Sequence, residues 1–372
     1  MNIVSWFDSF RRRLAVVALL GGFLGLESAT AADLHVQRLF GPEIPTGKYK
    51  HPASFDELKN GDLYLVYYGG GGEYADHTAV YGSRCKKGST RWSRPVKIAE
   101  HPVGSLGNGV VWQAPDGLVW LYYVMRHGET WSTSRIMAKV SRDGAKTWSD
   151  AFPVTFEEGT MVRSRPIALM NGNYLLPIYH ETGHNTEFSA PTTSSLFLHY
   201  DPRKRSWTES NRVRSRLGNL QPAVVQLTDQ HLVAYCRRGG DYEPRKDGYI
   251  VRTESVDGGK TWSDGQDTEF PNPNAAVDFY KLRNGHLILV YNDSMNDRTP
   301  LTAAISTDGG RTFPHRKNIA SGPGDFGYPT VVQTQDGRIH VLFTSDERTV
   351  VRHAWFEESL VTSPGGFGSS AR

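Results

Sequence analysis

Polar side chains able to do chemistry recur in this chain where short hydrophobic segments begin and end. The segment openings read Lys50-His51-Pro52, Asn108-Gly109, Arg163 to Arg165-Pro166, Gln221-Pro222, Asn274 to Asp278 and Tyr328-Pro329. The segment ends add Glu73 and Asp76, Arg126-His127, His180-Glu181, Arg237-Arg238, and Asn292-Asp293 with Arg298. Arginine pairs bidentately with carboxylate, carboxyl groups pass protons, and a tyrosine hydroxyl can attack an electrophile or donate a proton. Taken singly, each is an ordinary polar residue at a strand end. Brought to one place, the set is suited to an anionic polar ligand.

Whether they meet depends on the elements between them, and those elements repeat. Ser141 to Trp148, Ser255 to Trp262 and Ser306 to Phe313 share the pattern S-x-D-x-G-x-T-[W/F], except that Ala145 stands at the glycine position of the first. The Asp accepts hydrogen bonds from nearby backbone N–H groups, and the aromatic packs between sheets. Weaker relatives end at Trp92 and Trp207, so the aromatics fall at 92, 148, 207, 262 and 313, with steps of 56, 59, 55 and 51 residues. Tight-turn dipeptides form a second series: Asn60-Gly61, Asp116-Gly117, Asn171-Gly172, Asp229-Gln230, Asn284-Gly285 and Asp336-Gly337. Their steps are 56, 55, 58, 55 and 52 residues. Asn-Gly and Asp-Gly favour two-residue hairpins because both central positions need positive φ.

Segments rich in β-branched and aromatic residues follow these turns, at 63–68, 118–124, 174–179, 287–291 and 339–343. Four strands per unit, six times over, predicts an all-β, six-bladed β-propeller. One clear strand, 350–356, follows the last hairpin, so the segment near 34–39 is expected to return and complete the sixth blade. In such a meander the hairpins and Asp turns share one end. The segment openings and the loops between second and third strands share the other. Asp143, Asp257 and Asp308 are therefore read as structural, and the polar set above as a ring around one funnel.

Composition narrows the class further. Arg11-Arg12-Arg13, the apolar run 14–26 and Ala29-Thr30-Ala31 read as a secretory signal over 1–32, which implies a secreted or periplasmic protein with no membrane span after cleavage. The propeller is expected over 33–360, with a Gly/Ser-rich, disordered tail at 361–372. A net charge of +3 with scattered Lys and Arg argues against nucleic acid as a partner. Cys85 and Cys236 are the two cysteines, so no disulfide framework supports the fold, and their pairing stays open. His51, His127 and His180 lack metal-ligand spacing; no metal or cofactor is expected, and a monomer is.

The repeated turns resemble those of the sialidase superfamily, six-bladed propellers carrying Asp-box repeats, and the resemblance covers the whole mature chain. Asn272-Pro273-Asn274, Arg298-Thr299-Pro300-Leu301 and Tyr328-Pro329 are similar to signatures of bacterial sialidase-like proteins. The resemblance implies three arginines around a substrate carboxylate, a tyrosine nucleophile partnered by a glutamate, and an aspartate acid. By position Tyr328 matches the nucleophile, Arg237 and Arg298 match two arginines, and Asp76 matches the acid, with Glu73 as its rival. The chain departs from the pattern twice. Lys50 or His51 stands where an arginine is expected, and Gln221 replaces the activating glutamate, although an amide cannot take a proton. Glu181 or Asp278 would have to act instead. Lys50, Asn108, Arg165, Gln221, Arg237, Asp278 and Arg298 are expected to bind substrate, and Tyr328, Asp76, Glu73 and His51 to do chemistry. The implied activity is exo-hydrolysis of terminal acidic sugars. Alternatives are a lyase on uronates, with His51 as base and Tyr328 as acid, or a propeller that binds carbohydrate without turnover.

Overall fold

The structure, a computed structural model, describes residues 33–186 and 188–363; the expected signal segment and the tail from 364 onward lie outside the described residues. Six antiparallel sheets follow one another along the chain, each running from an inner strand outward through successive neighbours. The first blade shows the plan, with strands Tyr49–Glu57, Leu63–Gly70, Ala79–Cys85 and Val96–Ala99. Asn60-Gly61 makes its first hairpin, with Gly61 at a φ of 82°. The third blade departs from it. Its inner strand is broken into Thr160–Val162 and Ile167–Ala168, both paired to Tyr174–His180.

The ring closes as the repeat count requires. His35–Phe40 pairs antiparallel with Val350–Phe356, so the start of the folded chain supplies the outermost strand of the sixth blade. Each hydrophobic cluster is centred on one pair of adjacent blades. Val66 and Tyr68 of the first pack with Leu121 and Tyr123 of the second. Val331 and Phe343 of the sixth pack with Ile288 and Val290 of the fifth. A further cluster joins the sixth blade's Leu342 to the first blade's Leu65. Residues of these inner and second strands therefore alternate between two buried faces and read as near-continuous apolar runs.

The repeated turns are built as expected. Asp257 accepts from the Lys260 and Thr261 amides, at 2.9 Å each, and from the Thr261 hydroxyl at 2.6 Å. Asp143 and Asp308 hold their turns in the same way. The turn aromatic packs on the preceding blade: Trp262 stacks on Phe197 with ring centroids 3.8 Å apart. Cys85 and Cys236 are both buried and free. The short helix Ser359–Thr362 buries Val361 in the cluster between the fifth and sixth blades, so packing reaches just past the boundary at 360 expected from composition. Among the described residues no helix is long and apolar enough to cross a membrane.

Candidate functional site

The site is made by irregularities at the entry of the inner strands. Register shifts interrupt their pairing between His51 and Ala53, Gly107 and Val110, Leu220 and Ala223, and Gly327 and Thr330. Asn108, Gln221 and Tyr328 sit in these interruptions with φ of 39°, 53° and 57°, and Asn274, just before the fifth inner strand, has a φ of 56°. Non-glycine residues resist positive φ, and a bulge re-aims the side chain it carries. Here the repeated distortion turns four side chains from four blades toward one mouth.

Tyr328 is the centre of this arrangement. Its hydroxyl accepts from Arg237 Nη1 at 2.7 Å. The Arg298, Arg163 and Arg237 guanidinium carbons lie 5.3, 5.6 and 5.8 Å from its ring centroid. Burial alone would raise the phenol pKa, yet the charges of Arg237, Arg298 and Arg348 outweigh it and hold the pKa below the ordinary value. Arg237 is fixed by Asn274 Oδ1 at 2.6 Å, Gln221 Oε1 at 3.3 Å and the Tyr242 hydroxyl at 3.0 Å. Arg163 is fully buried behind the ring and binds the Pro329 carbonyl at 2.5 Å, which anchors the Tyr328 turn. The His51 ring meets Tyr328 edge-on, with centroids 4.0 Å apart. His51 Nδ1 bonds the Thr344 hydroxyl at 2.7 Å while Nε2 has no partner. Burial, reinforced by Arg348, Arg298, Arg163 and Arg237, keeps this imidazole neutral well below its usual pKa.

Two carboxyl groups share the mouth and behave differently. Glu181, part-buried on the cavity wall, has its pKa raised by burial to about 7, with Arg237 opposing and Glu73 adding to the rise. Glu73 pairs with Arg348 and accepts from Trp131 Nε1 at 3.4 Å. Two compartments result. An inner one of about 30 Å³ holds Tyr328, Arg237, His51, Asn108 and Glu181. An outer cleft of about 410 Å³ holds Arg298 and Arg348. Glu73, Tyr74, Thr186 and Tyr242 line both and form the partition.

The structure thus brings together Tyr328, Arg237, Arg298, His51, Glu73, Asn108 and Gln221, the last two meeting on the Tyr179 hydroxyl. It removes four expected residues from the mouth. Lys50 is wholly buried and turned outward onto the Gly47 carbonyl at 2.5 Å, because neighbours in a strand face opposite ways and His51 takes the inner one. Arg165 and Asp278 lie further along the axial channel. Arg165 pairs there with Asp56 at 3.2 Å, and Asp278 accepts the Val331 amide at 2.6 Å, beside a separate cavity of about 480 Å³ open toward the hairpin end. Asp76 is exposed on its loop and lines neither compartment. Arg348 is what the sequence reading missed. It comes from the second-to-third-strand turn of the sixth blade, its carbonyl accepts from the Lys50 amide at 2.9 Å, and its charge bears on Tyr328 together with those of Arg237 and Arg298. His127 and His180 do not join His51 in the pocket lining, and among the described residues no group of three or more His, Cys, Asp or Glu could hold a metal.

The sequence profile of the BNR repeat-like domain matches residues 61–341, five of the six hairpin turns included. The chain belongs to this BNR repeat-like family. No curated protein sequence matches it. Among solved structures, the chain is similar to the Hadza microbial sialidase Hz136 at a TM-score of 0.73 and 15% identity, over 88% of this chain and 69% of that one. A Dyadobacter fermentans protein of unknown function gives 0.72 and 18%, over 87% and 99%. The α-L-arabinofuranosidase Arb93A of Fusarium graminearum gives 0.63 and 12%, over 88% and 98%. Identities this low establish the sialidase-like propeller fold, and the site itself must argue the chemistry.

Proposed function

We propose that this BNR-repeat protein is a secreted, exo-acting glycoside hydrolase of sialidase-like type that removes terminal acidic sugars from glycans or polysaccharides. One observation carries the reading: the Tyr328 phenol bonds Arg237 at 2.7 Å within a field of arginines that lowers its pKa. A sugar with a carboxylate at or near the reacting carbon repels an anionic carboxylate nucleophile, whereas a phenol eased toward ionisation by neighbouring cations attacks without that penalty. The arginine field also explains how Gln221 can stand where a base is expected. The positive charges ease the phenolic proton onto water as the bond to the anomeric carbon forms, so no glutamate is needed to remove it.

In this scheme Arg298 and Arg348 hold the substrate's anionic group and Tyr328 attacks the anomeric carbon. Glu181, still protonated near neutral pH because burial lifts its pKa to about 7, donates to the leaving oxygen. It then serves as base for the water that releases the sugar. The unpartnered Nε2 of neutral His51 supports a second reading, a uronate lyase in which His51 removes the proton α to the carboxylate and Tyr328 returns one to the leaving oxygen. A panel of sialosides, uronides and sulfated oligosaccharides, followed by product mass and ultraviolet absorbance, separates the two. Release of an intact acidic sugar is expected. An unsaturated, absorbing product would overturn the hydrolase in favour of the lyase.

A further inference from the structure

The inner compartment around Tyr328 measures about 30 Å³, room for little more than one water. The outer cleft, at about 410 Å³, falls within the range of small-ligand sites. A pyranose that reaches the phenol must therefore move the partition between them. Its charged member is Glu73, whose carboxylate already sits on Arg348, where the substrate's anion would bind. We propose that Glu73 is an internal counter-ion: it occupies the anion seat of the empty site, holds the partition shut, and is displaced by the anionic group of the incoming sugar. This rests on the reading of the mouth as an acidic-sugar site.

The chain around Glu73 is built for that exchange. It follows the run Gly69-Gly70-Gly71-Gly72. Gly69 and Gly70 are packed hard, since a Cβ on them would lie 2.4 Å from the Thr46 carbonyl oxygen and 2.7 Å from Thr78 Cγ2. At Gly72 a Cβ would meet nothing, and at Gly71 only the Ala75 methyl at 3.5 Å. The strand thus ends on two clamped glycines followed by two free ones, a hinge placed immediately before the carboxylate. Beyond the carboxylate the chain is tied again: the Tyr74 hydroxyl donates to the Thr186 carbonyl at 3.0 Å, Arg126 Nη2 donates to the Tyr74 carbonyl at 2.9 Å, and the Ser105 hydroxyl donates to the Ala75 carbonyl at 2.9 Å, so the free glycines are where the segment can give. Glu73 also accepts from Trp131 Nε1, so its departure changes the surroundings of an indole at the mouth.

The test is titration of the full chain with inorganic sulfate and with free glucuronate, followed by tryptophan fluorescence and calorimetry. Glu73→Gln keeps the shape and the acceptor for Trp131 but removes the competing charge, and it should bind both probes at least tenfold more tightly. Gly72→Ala stiffens the hinge without a clash and should slow association while leaving Glu73→Gln-type tightening absent. Arg348→Gln should abolish the difference between the Glu73 variant and its parent. Affinity unchanged or weakened in Glu73→Gln overturns the counter-ion. If that variant fails to fold, unchanged association rates in Gly72→Ala overturn it instead. Tighter sulfate binding with no sugar released from any glycan refutes the hydrolase reading alone; sugar release with unaltered affinity refutes the counter-ion alone.

Discussion

Replacing Glu181 with glutamine separates the proposed acid from every other group in the mouth. The amide preserves size and cannot give up a proton. Loss of a positioned general acid costs roughly 10²–10⁴ in kcat, so hydrolysis of a natural glycoside should fall by about that factor. An aryl glycoside whose leaving group needs no proton should lose less than about tenfold under the same reasoning. The pH profile is sharper evidence. In the parent protein kcat should decline as pH rises through about 7, where Glu181 ionises; in Glu181→Gln that alkaline limb should vanish.

The same substitution should stabilise the fold at alkaline pH. Below pH 4.5 the carboxyl is protonated in both folded and unfolded chains and makes no difference. Between 4.5 and about 7 the unfolded chain ionises while the folded one resists, so stability drops as pH rises through this window and stays lower above it. At about 1.4 kcal/mol per pKa unit the ceiling is near 3 kcal/mol. Glu181 is part-exposed to the cavity, and screening brings the expected figure to about 1–2 kcal/mol. Glu181→Gln should accordingly melt higher than its parent at pH 8 and match it at pH 4. A persisting alkaline limb, or a variant less stable than the parent at pH 8, would refute the assignment of Glu181 as a carboxyl held protonated by burial.

Tyr328→Phe should lower kcat on the order of 10³-fold or more while retaining sugar binding. The lost acceptor for Arg237 should cost about 1–3 kcal/mol in denaturant melts. Full activity in that variant would remove the nucleophile. Asp76→Asn should leave kcat and KM unchanged, since the residue is exposed and outside both compartments; a large loss would restore it as the acid. His340 and His353 meet at 2.9 Å between the last two paired strands of the sixth blade, and burial lowers their pKa to about 4 and about 3. Their unfolded counterparts take up protons from about 6.5 downward, so stability should fall as pH drops from 6.5 toward 4. His353→Phe, measured by thermal melts across that range, should flatten the loss.

The fold was legible because its signals are local. A hairpin dipeptide and an eight-residue Asp turn each determine their own geometry, and their shared period demands six equivalent sheets. The return of His35–Phe40 followed from counting strands after the last hairpin. The site was legible in part, since topology alone places Tyr328, Arg237 and Arg298 at one mouth. Depth and facing were hidden. Lys50 and His51 are adjacent, and only register decides which of them looks inward. Arg165 and Asp278 each lie beyond the residue that opens their blade, at about 3.3 Å per residue, enough to carry them into the channel. Arg348 was legible and overlooked. The rule that the second-to-third-strand turns belong to the mouth, applied to the sixth blade, leads directly to Ser345-Asp346-Glu347-Arg348.

A subtler signal was also available in the prolines. Proline cannot donate to a strand ladder and within sheets is confined to edges and bulges. Pro52, Pro222 and Pro329 each stand inside an inner strand, and each lies within a register shift that the structure displays. The residue before each one is His51, Gln221 or Tyr328, all three lining the inner compartment. The missing N–H loosens the pairing locally, the bulge turns the preceding side chain toward the axis, and the innermost position of the blade leaves no further strand to correct it. Sequence marks that read as strand defects therefore coincide with residues that line the candidate site. In the second blade Asn108-Gly109 reaches the same result with glycine, where the register shift and a φ of 39° again aim a polar side chain at the mouth.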